Sequence, residues 1–400
     1  MIIATTLALL CVGVVMVASA GMTIGTGEPV TISSIILSRA TAYAAIAFGL
    51  LLLVGQLPLR RFCRPGLWQG LIPLLYPLSL LCLALVYVPG IGRTVKGAAR
   101  WVDIPGVAVG FQPSEVAKWA MVLVMAWWGV RKGPALRKFF AGLLPPLLAL
   151  GLVSAVITLE DLGTGVLVAC AGTAVLVAAG ARVWHLALLA PVAAMGIGIA
   201  LLLEPYRLRR LEAFTNPFAD PQDAGYHIIQ SLVAISNGDV FGRGLGFGLQ
   251  KFGYLPEDRT DFLFAIICEE LGIAGAVGVM GMYALLLCSG FVIVARTRLR
   301  LLQLAGVGVL ATMGGQTLMN LFVVTGLAPT KGIALPLLSA GGTGWMLTAA
   351  SLGLLLAMDR EATADERFEA ILGPVPAGGT HDETVEAEPD DETNPTLAPA

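Results

Sequence analysis

Charge is scarce in this sequence: Asp, Glu, Lys and Arg make up 13% of its 400 residues, whereas a soluble globular domain carries roughly a quarter. That scarcity excludes an ordinary water-soluble enzyme. Histidine is scarcer still. The three, His185, His227 and His381, fall in separate segments and argue against a His-built metal centre. The six cysteines contain no CxxC spacing and lie mostly inside apolar runs, so neither a zinc framework nor a disulfide scaffold is expected. No basic patch is interleaved with aromatics, and nucleic acid is not an expected partner.

What the chain has instead is hydrophobicity, 56% of residues with a mean hydropathy of +0.82. A helix needs about 20 mostly apolar residues to cross the hydrocarbon core. Charged borders mark out such segments at residues 1–22, 40–59, 71–89, 111–130, 139–159, 162–181 and 183–203. A long polar interval, 204–261, follows, and three more segments close the body at 271–295, 301–326 and 335–358. The expectation is an all-α polytopic membrane protein of ten transmembrane helices, with its large loop between helices 7 and 8. Ala18-Ser19-Ala20 resembles a signal-peptide cleavage site, but the basic n-region is missing, so the first segment is read as an uncleaved helix.

The net charge of −2 is the sum of two unlike parts. Residues 1–358 carry 23 basic and 15 acidic side chains, and residues 359–400 carry 2 and 12. The chain therefore divides into a membrane domain, 1–358, and an acidic tail, 359–400, too polar to build a core and expected to be disordered. Basic residues set orientation. With Met1 in the cytoplasm the inner loops hold eleven: Arg60, Arg61, Arg64, Arg131, Lys132, Arg137, Lys138, Arg182, Arg296, Arg298 and Arg300. The short outer loops hold five, Arg39, Arg93, Lys96, Arg100 and Lys331. Both termini are expected on the cytoplasmic side of the membrane.

A few polar residues do not sit where loops should be. Glu115, two residues after Pro113, suits a helix start, since Pro lacks the N–H that would be unpaired there and the dipole favours an acid. Lys118 is not explained that way. It lies three residues on, on the same face and deeper in the span, where an ionisable group needs a partner or a cavity. Asp261, Glu269 and Glu270 precede an apolar run that is already long enough to span; Asp261–Glu270 is expected to extend that helix, its acids facing protein, water or ligand. The structural alternative is that Thr260 or Asp261 merely caps the helix. Gly242-Arg243-Gly244-Leu245-Gly246-Phe247-Gly248 lacks nucleotide-binding spacing and reads as a tight loop. Gln316 and Asn320, four apart, read as interhelical hydrogen-bonding groups.

These residues fall into a pattern. Gly13–Ala20, Gly97-Ala98-Ala99-Arg100-Trp101, Phe111-Gln112-Pro113-Ser114-Glu115-Val116-Ala117-Lys118, Asp161-Leu162-Gly163-Thr164, Leu255-Pro256-Glu257 with Thr260-Asp261-Phe262, Glu269-Glu270-Leu271-Gly272, and Pro329–Pro336 with Ser339, Gly341 and Gly342 resemble the SEDS family of bacterial shape, elongation, division and sporulation proteins. The matches run in order from the first span to the tenth. The first-span motif and Thr330-Lys331-Gly332 look more like the FtsW branch than the RodA branch.

The resemblance implies a peptidoglycan glycosyltransferase that polymerises lipid II at the outer membrane face, at the division septum, beside a class B penicillin-binding transpeptidase and other division or elongation membrane proteins. It implies catalytic roles for Asp261, Glu115 and Lys118, with Asp261 the general base, or alternatively the ligand of a divalent cation, Mg or Mn. Arg100, Trp101, Gln112, Ser114, Thr260, Lys331, Ser339, Gly341 and Gly342 are the implied substrate-binding positions. Candidate phosphate-binding cations are Lys331, Arg243, Lys251, Arg259, Arg100 and Lys96, with Arg100 and Lys331 preferred. Three departures stand out: Glu160 where the family usually has Pro, His227 where it tends to have Gln, and Ala340 where an aromatic is typical. The alternatives are an elongation-type RodA-like polymerase, a lipid II flippase and a non-enzymatic scaffold.

Overall fold

The computed structural model describes residues 1–22, 31–63, 70–95, 98–103 and 110–372. Helices occupy each of the segments that hydropathy marked out: α1 (Ile2–Ala20), α2 (Arg39–Gly55), α3 (Leu75–Ala84, with 3₁₀ turns at both ends), α4 (Pro113–Lys132), α5 (Leu144–Glu160), α6 (Leu162–Ala178), α7 (Val183–Leu202), α10 (Leu263–Arg296), α11 (Arg300–Val324) and α12 (Thr343–Leu372). Two shorter helices, α8 (Pro205–Thr215) and α9 (Tyr226–Asn237), fold within the long polar interval. Among the described residues, five helical stretches are long and apolar enough to cross a membrane: Ile2–Ala20, Phe139–Glu160, Val183–Leu202, Leu263–Arg296 and Arg300–Val324. The chain is mostly helical and polytopic.

Two apolar clusters organise the bundle. One joins α1, α2, α10, α11 and α12; the other joins α4, α5 and α6 to the start of α11. α7 has no buried residue, so its apolar surface faces outward all round, as a lipid-facing helix does. One compact unit is Met1–Ala362, and Thr363–Ala400 forms a second. The last helix does not stop at Met358: it continues to Leu372. Arg360 donates to the carbonyls of Gln56 and Leu57, at the C-terminal end of α2, where a cation is favoured.

The expectation of an all-α chain needs correction at one place. Residues 92–111 hold a small antiparallel sheet, β1 (Gly92–Val95), β2 (Ala98–Asp103) and β3 (Gly110–Phe111), with β2 in the centre. Val102 pairs with Gly92 on one side and Phe111 on the other, and a bulge separates Arg93 from Thr94. The strands are short, interrupted by charged residues and carry β-branched and aromatic residues, Thr94, Val95, Trp101, Val102 and Phe111, which suits a pleated surface better than a span.

The expected helix from Asp261 to Ala295 is also broken. α10 begins at Leu263, capped by no side chain, and is interrupted at Gly272, whose φ of 68° and ψ of −166° belong to a region open almost only to glycine. The polar interval enters that break: Ile273 and Ala274 donate backbone hydrogen bonds to Asp239 and Val240, and Arg243 and Gly244 donate to the carbonyls of Glu269 and Glu270. A Cβ on Gly272 would collide with Gly242 N and Val240 O. Gly272→Ala is therefore expected to cost more than about 2 kcal/mol, seen as a lower unfolding temperature in detergent; an unchanged temperature would refute the strain at this break.

Candidate functional site

The site lies where the ends of α1, α5 and α11 meet the starts of α4, α6, α10 and α12, around the irregular segment 331–336, in which Ile333 N–H turns back to Lys331 O. Among the described residues that segment pairs with no strand, and amide side chains of α11 hold its backbone. Asn320 Nδ2 donates to the carbonyls of Asp261 and Ile333, both at 2.7 Å. Gln316 Nε2, one turn earlier, donates to Ala334 O at 2.9 Å. Both amides tie loop backbone to α11, which is how the loop avoids buried unpaired carbonyls, and Gln316 in addition bonds helix to helix as expected.

Gln316 also links this segment to the α4 pair. Its Oε1 accepts from Lys118 Nζ at 3.0 Å, while Lys118 donates to both oxygens of Glu115 at 2.8 Å. Lys118 is 1% exposed and Glu115 retains partial access. The Glu115 carboxylate lies beside Gly344 at the start of α12, and Lys118 also stands over the Trp119 ring at 5.2 Å. The lysine that sequence alone left without a partner thus has a carboxylate, an amide and an aromatic face.

On the same segment, two residues from Ala334, Gly332 brings Asp261 and Arg100 together. A Cβ built there would stand 3.2 Å from Asp261 Oδ2 and 3.6 Å from Arg100 Nη1. Arg100, on β2, gives Nε and Nη2 to the carbonyl of Glu160 at 3.0 and 2.6 Å, and its Nη1 lies 3.9 Å from Asp161 Oδ2. Asp161 caps α6 by accepting from the backbone N–H and the hydroxyl of Thr164. Burial pushes the Lys331 ammonium below the usual lysine range, and the Asp161 charge offsets part of that shift. Arg100 thus stands beside Asp161, and Lys331, which feels the same carboxylate, directly precedes Gly332, where Asp261 and Arg100 approach. A cavity lined by Tyr87, Arg100, Ser114, Glu160 and Asp161, with Leu83 and Val86 beneath, opens beside them.

Other expected positions are placed differently. Trp101 is half-buried and pairs with Arg93 in the sheet. Gln112 precedes α4 in extended conformation without capping it. Thr260 donates to the Glu257 carboxylate, and neither it nor Asp261 caps α10. Ser339 is buried in a turn, where its hydroxyl accepts from Leu335 N–H and its carbonyl from Trp345 Nε1. Gly341 accepts from Gly344 N–H, and Gly342 takes a left-handed φ of 47° facing Tyr43. Ala340 N–H donates to Arg259 O, a backbone contact to which its side chain contributes nothing. His227 stacks on Phe262 with ring centroids 5.8 Å apart, next to Asp261.

The list of candidate cations shrinks. Lys96 lies outside the described residues. Arg259 donates to Gly21 O, and Arg243 to Asn237 O. Lys251 is spent: its ammonium is buried, 2.7 Å from Glu270 Oε1 and 3.1 Å from Ser19 Oγ. Glu270 accepts further from Ser19 and Gly246 N–H, and Glu269 from the N–H groups of Leu249 and Gln250. The glycine-rich loop is thus folded onto two buried carboxylates. Sequence reasoning placed loop and acids separately, and the only signal joining them was acidic residues inside an apolar run. It also passed over Arg210, which donates to Thr330 O and stacks on Tyr206.

A divalent cation takes about six oxygen ligands. Among the described residues no three His, Cys, Asp or Glu side chains converge on a point. Asp261 shares its approach to Gly332 with a guanidinium. That donor set does not fit a protein-built cation cage, and no step below is routed through a metal.

Fold and site together define a polytopic helical membrane protein whose ionisable groups gather at one end of the bundle around an acid flanked by cations. A family model described as the FtsW, RodA and SpoVE cell cycle proteins matches residues 1–364. The chain belongs to this family. It is 39% identical over 363 residues to a probable peptidoglycan glycosyltransferase FtsW of Thioalkalivibrio sulfidiphilus, covering 89% of this chain and 88% of that one. Its identity to the corresponding Geobacter sp. protein is 37% over 349 residues, with 87% and 93% covered. Among solved structures it is similar to a chain of a peptidoglycan synthase complex described as coordinating polymerization and crosslinking, with TM-score 0.70, 28% identity and coverage of 90% and 97%. It is also similar to the rod shape determining protein RodA of Thermus thermophilus, with TM-score 0.63, 27% identity and coverage of 90% and 96%.

Proposed function

We propose that this chain is a peptidoglycan glycosyltransferase of the FtsW type, polymerising lipid II into glycan strands at the outer face of the inner membrane. The observation that carries the reading is the meeting of Asp261 and Arg100 at Gly332, beside Lys331, in a chain that aligns over most of its length with proteins of that name. Chain extension requires a sugar hydroxyl to attack an anomeric carbon as a lipid-linked pyrophosphate departs. Asp261 accepts the hydroxyl proton, as the general base does in an inverting glycosidase. The pyrophosphate leaves unprotonated because cations meet its developing charge. Arg100 offers a fork and Lys331 a point charge.

The basic residues of the inner loops support a reading of ten spans with both termini cytoplasmic and the chemistry at the outer face. Partnership with a class B penicillin-binding transpeptidase is supported by likeness to a chain of a synthase complex; action at the septum is supported by the FtsW names of the relatives. The flippase reading is less well supported, because an alternating-access carrier places its polar site near the midplane of its spans, whereas here the acids and cations cluster at helix ends.

The full chain, purified with its cognate transpeptidase and given labelled lipid II, is expected to yield glycan polymer that persists when penicillin blocks crosslinking. Lipid II translocation in liposomes without polymer would favour the flippase instead. In the same assay Lys118→Ala and Glu115→Ala are each expected to lower the rate at least about tenfold, since either leaves a partner charge uncompensated against Gln316 and segment 331–336. Full rates in both would return the pair to a structural role.

A further inference from the structure

Glu160, the last residue of α5, makes an unusual set of contacts. Its Oε2 accepts the backbone N–H of Ala99 at 2.8 Å and its Oε1 accepts the Tyr87 hydroxyl at 3.0 Å. Its own carbonyl accepts both Nε and Nη2 of Arg100. One residue thus fixes the backbone of β2 at position 99 and the guanidinium at position 100. Within the sheet Ala99 pairs with Thr94 of β1, so Glu160 adds a tie from the sheet to the helical bundle. The three-stranded sheet is short, and a sheet of that size holds its place only through packing or specific ties. The Arg100 side chain is 35% exposed and has many rotamers to lose.

With Nε and Nη2 held by the Glu160 carbonyl, the remaining edge of the guanidinium is turned outward. Nη1 points to Asp161 and to Gly332, the position that Asp261 also reaches. The carboxylate is not aimed at that point. It faces Tyr87 and the strand, on the wall of the cavity. Glu160 therefore does not touch the reacting atoms; it decides which face of Arg100 does.

We propose that Glu160 is a positioning residue, tying β2 and the end of α3 to the end of α5 so that Arg100 presents Nη1 to the departing pyrophosphate. This rests on the phosphate role given to Arg100 above. If the side chain is removed, the Glu160 carbonyl still accepts from Arg100, but β2 loses its tie at Ala99 to the end of α5, so the backbone from which Arg100 reaches that carbonyl is no longer fixed. A glutamine retains the tie, because its amide oxygen accepts from Ala99 and its amide nitrogen donates to the Tyr87 oxygen.

The test is a double-mutant cycle on the full chain with its transpeptidase partner, reading kcat/KM for polymerisation of labelled lipid II. R100A is expected to lose about a hundredfold, as for removal of one charge-stabilising donor. E160A is expected to lose about tenfold, and the double variant to match R100A within about twofold, because a residue acting through another has no effect once that other is gone. E160Q is expected to stay near the unaltered chain. Three results would each overturn the proposal while leaving the function intact: full activity in E160A, a double variant about tenfold below R100A, or an E160Q as impaired as E160A. Full activity in R100A would remove the phosphate role from Arg100 and the proposal with it, and absence of polymer from the unaltered chain would defeat the function itself.

Discussion

Asp261→Asn is expected to lower the initial rate of polymerisation from lipid II by about 10³-fold, within the range assigned to a positioned general base. That ratio corresponds to about 4 kcal/mol of transition-state stabilisation. The substitution is nearly isosteric. Asn320 grips the backbone carbonyl of Asp261 rather than its carboxylate, so the loop keeps its anchor. The Asp261 side chain caps no helix either, because α10 starts at Leu263 without a side-chain cap. Unfolding temperature and binding of lipid II are therefore expected to change little while the rate collapses. A rate within about threefold of the unaltered chain would remove Asp261 from the chemistry. A loss of rate accompanied by a large fall in unfolding temperature would instead mark it as structural.

Lys251→Met is expected to produce the largest loss of stability, about 3–5 kcal/mol, because it strands a carboxylate in a dry site. Lys251 and Glu270 are both fully buried, 2.7 Å apart. Without the ammonium, Glu270 keeps Ser19 and the N–H of Gly246 as its donors among the described residues. The loop that carries Lys251 continues to Glu257, Thr260 and Asp261, so loosening it disturbs the acid as well. Removing both charges, as in Lys251→Met with Glu270→Leu, is expected to recover part of the loss, since no ion is then left unpaired. Thermal unfolding in detergent distinguishes the outcomes. An unchanged unfolding temperature for Lys251→Met would show that the pair contributes nothing to the fold.

Much of this architecture can be read from residue order. Long apolar runs with charged borders located the helices, because burial in hydrocarbon depends on composition summed over a window of neighbours. Pro113 and Glu115 marked the start of α4 for local reasons of backbone donors and dipole. Lys118 stood out because an ammonium inside a span has to be answered by something, although the sequence did not say that the answer is Glu115 together with Gln316. Where the reading erred, a long-range contact had overruled the local pattern. The helix expected from Asp261 onward starts at Leu263 and is not continuous, because Gly272 admits the backbone of residues 239–244 into a break. Lys251, a plausible phosphate ligand by charge alone, is committed to an acid nineteen residues away.

The sequence by itself thus determined that the chain lives in a membrane, where its helices run and which ionisable residues sit in places that need explaining. Only the tertiary structure decided which charges neutralise one another and which remain for a substrate. Hydropathy is local and additive along the chain, whereas the pairing of Lys251 with Glu270, and the turning of Arg100 by Glu160, depend on elements far apart in sequence meeting at one end of the bundle.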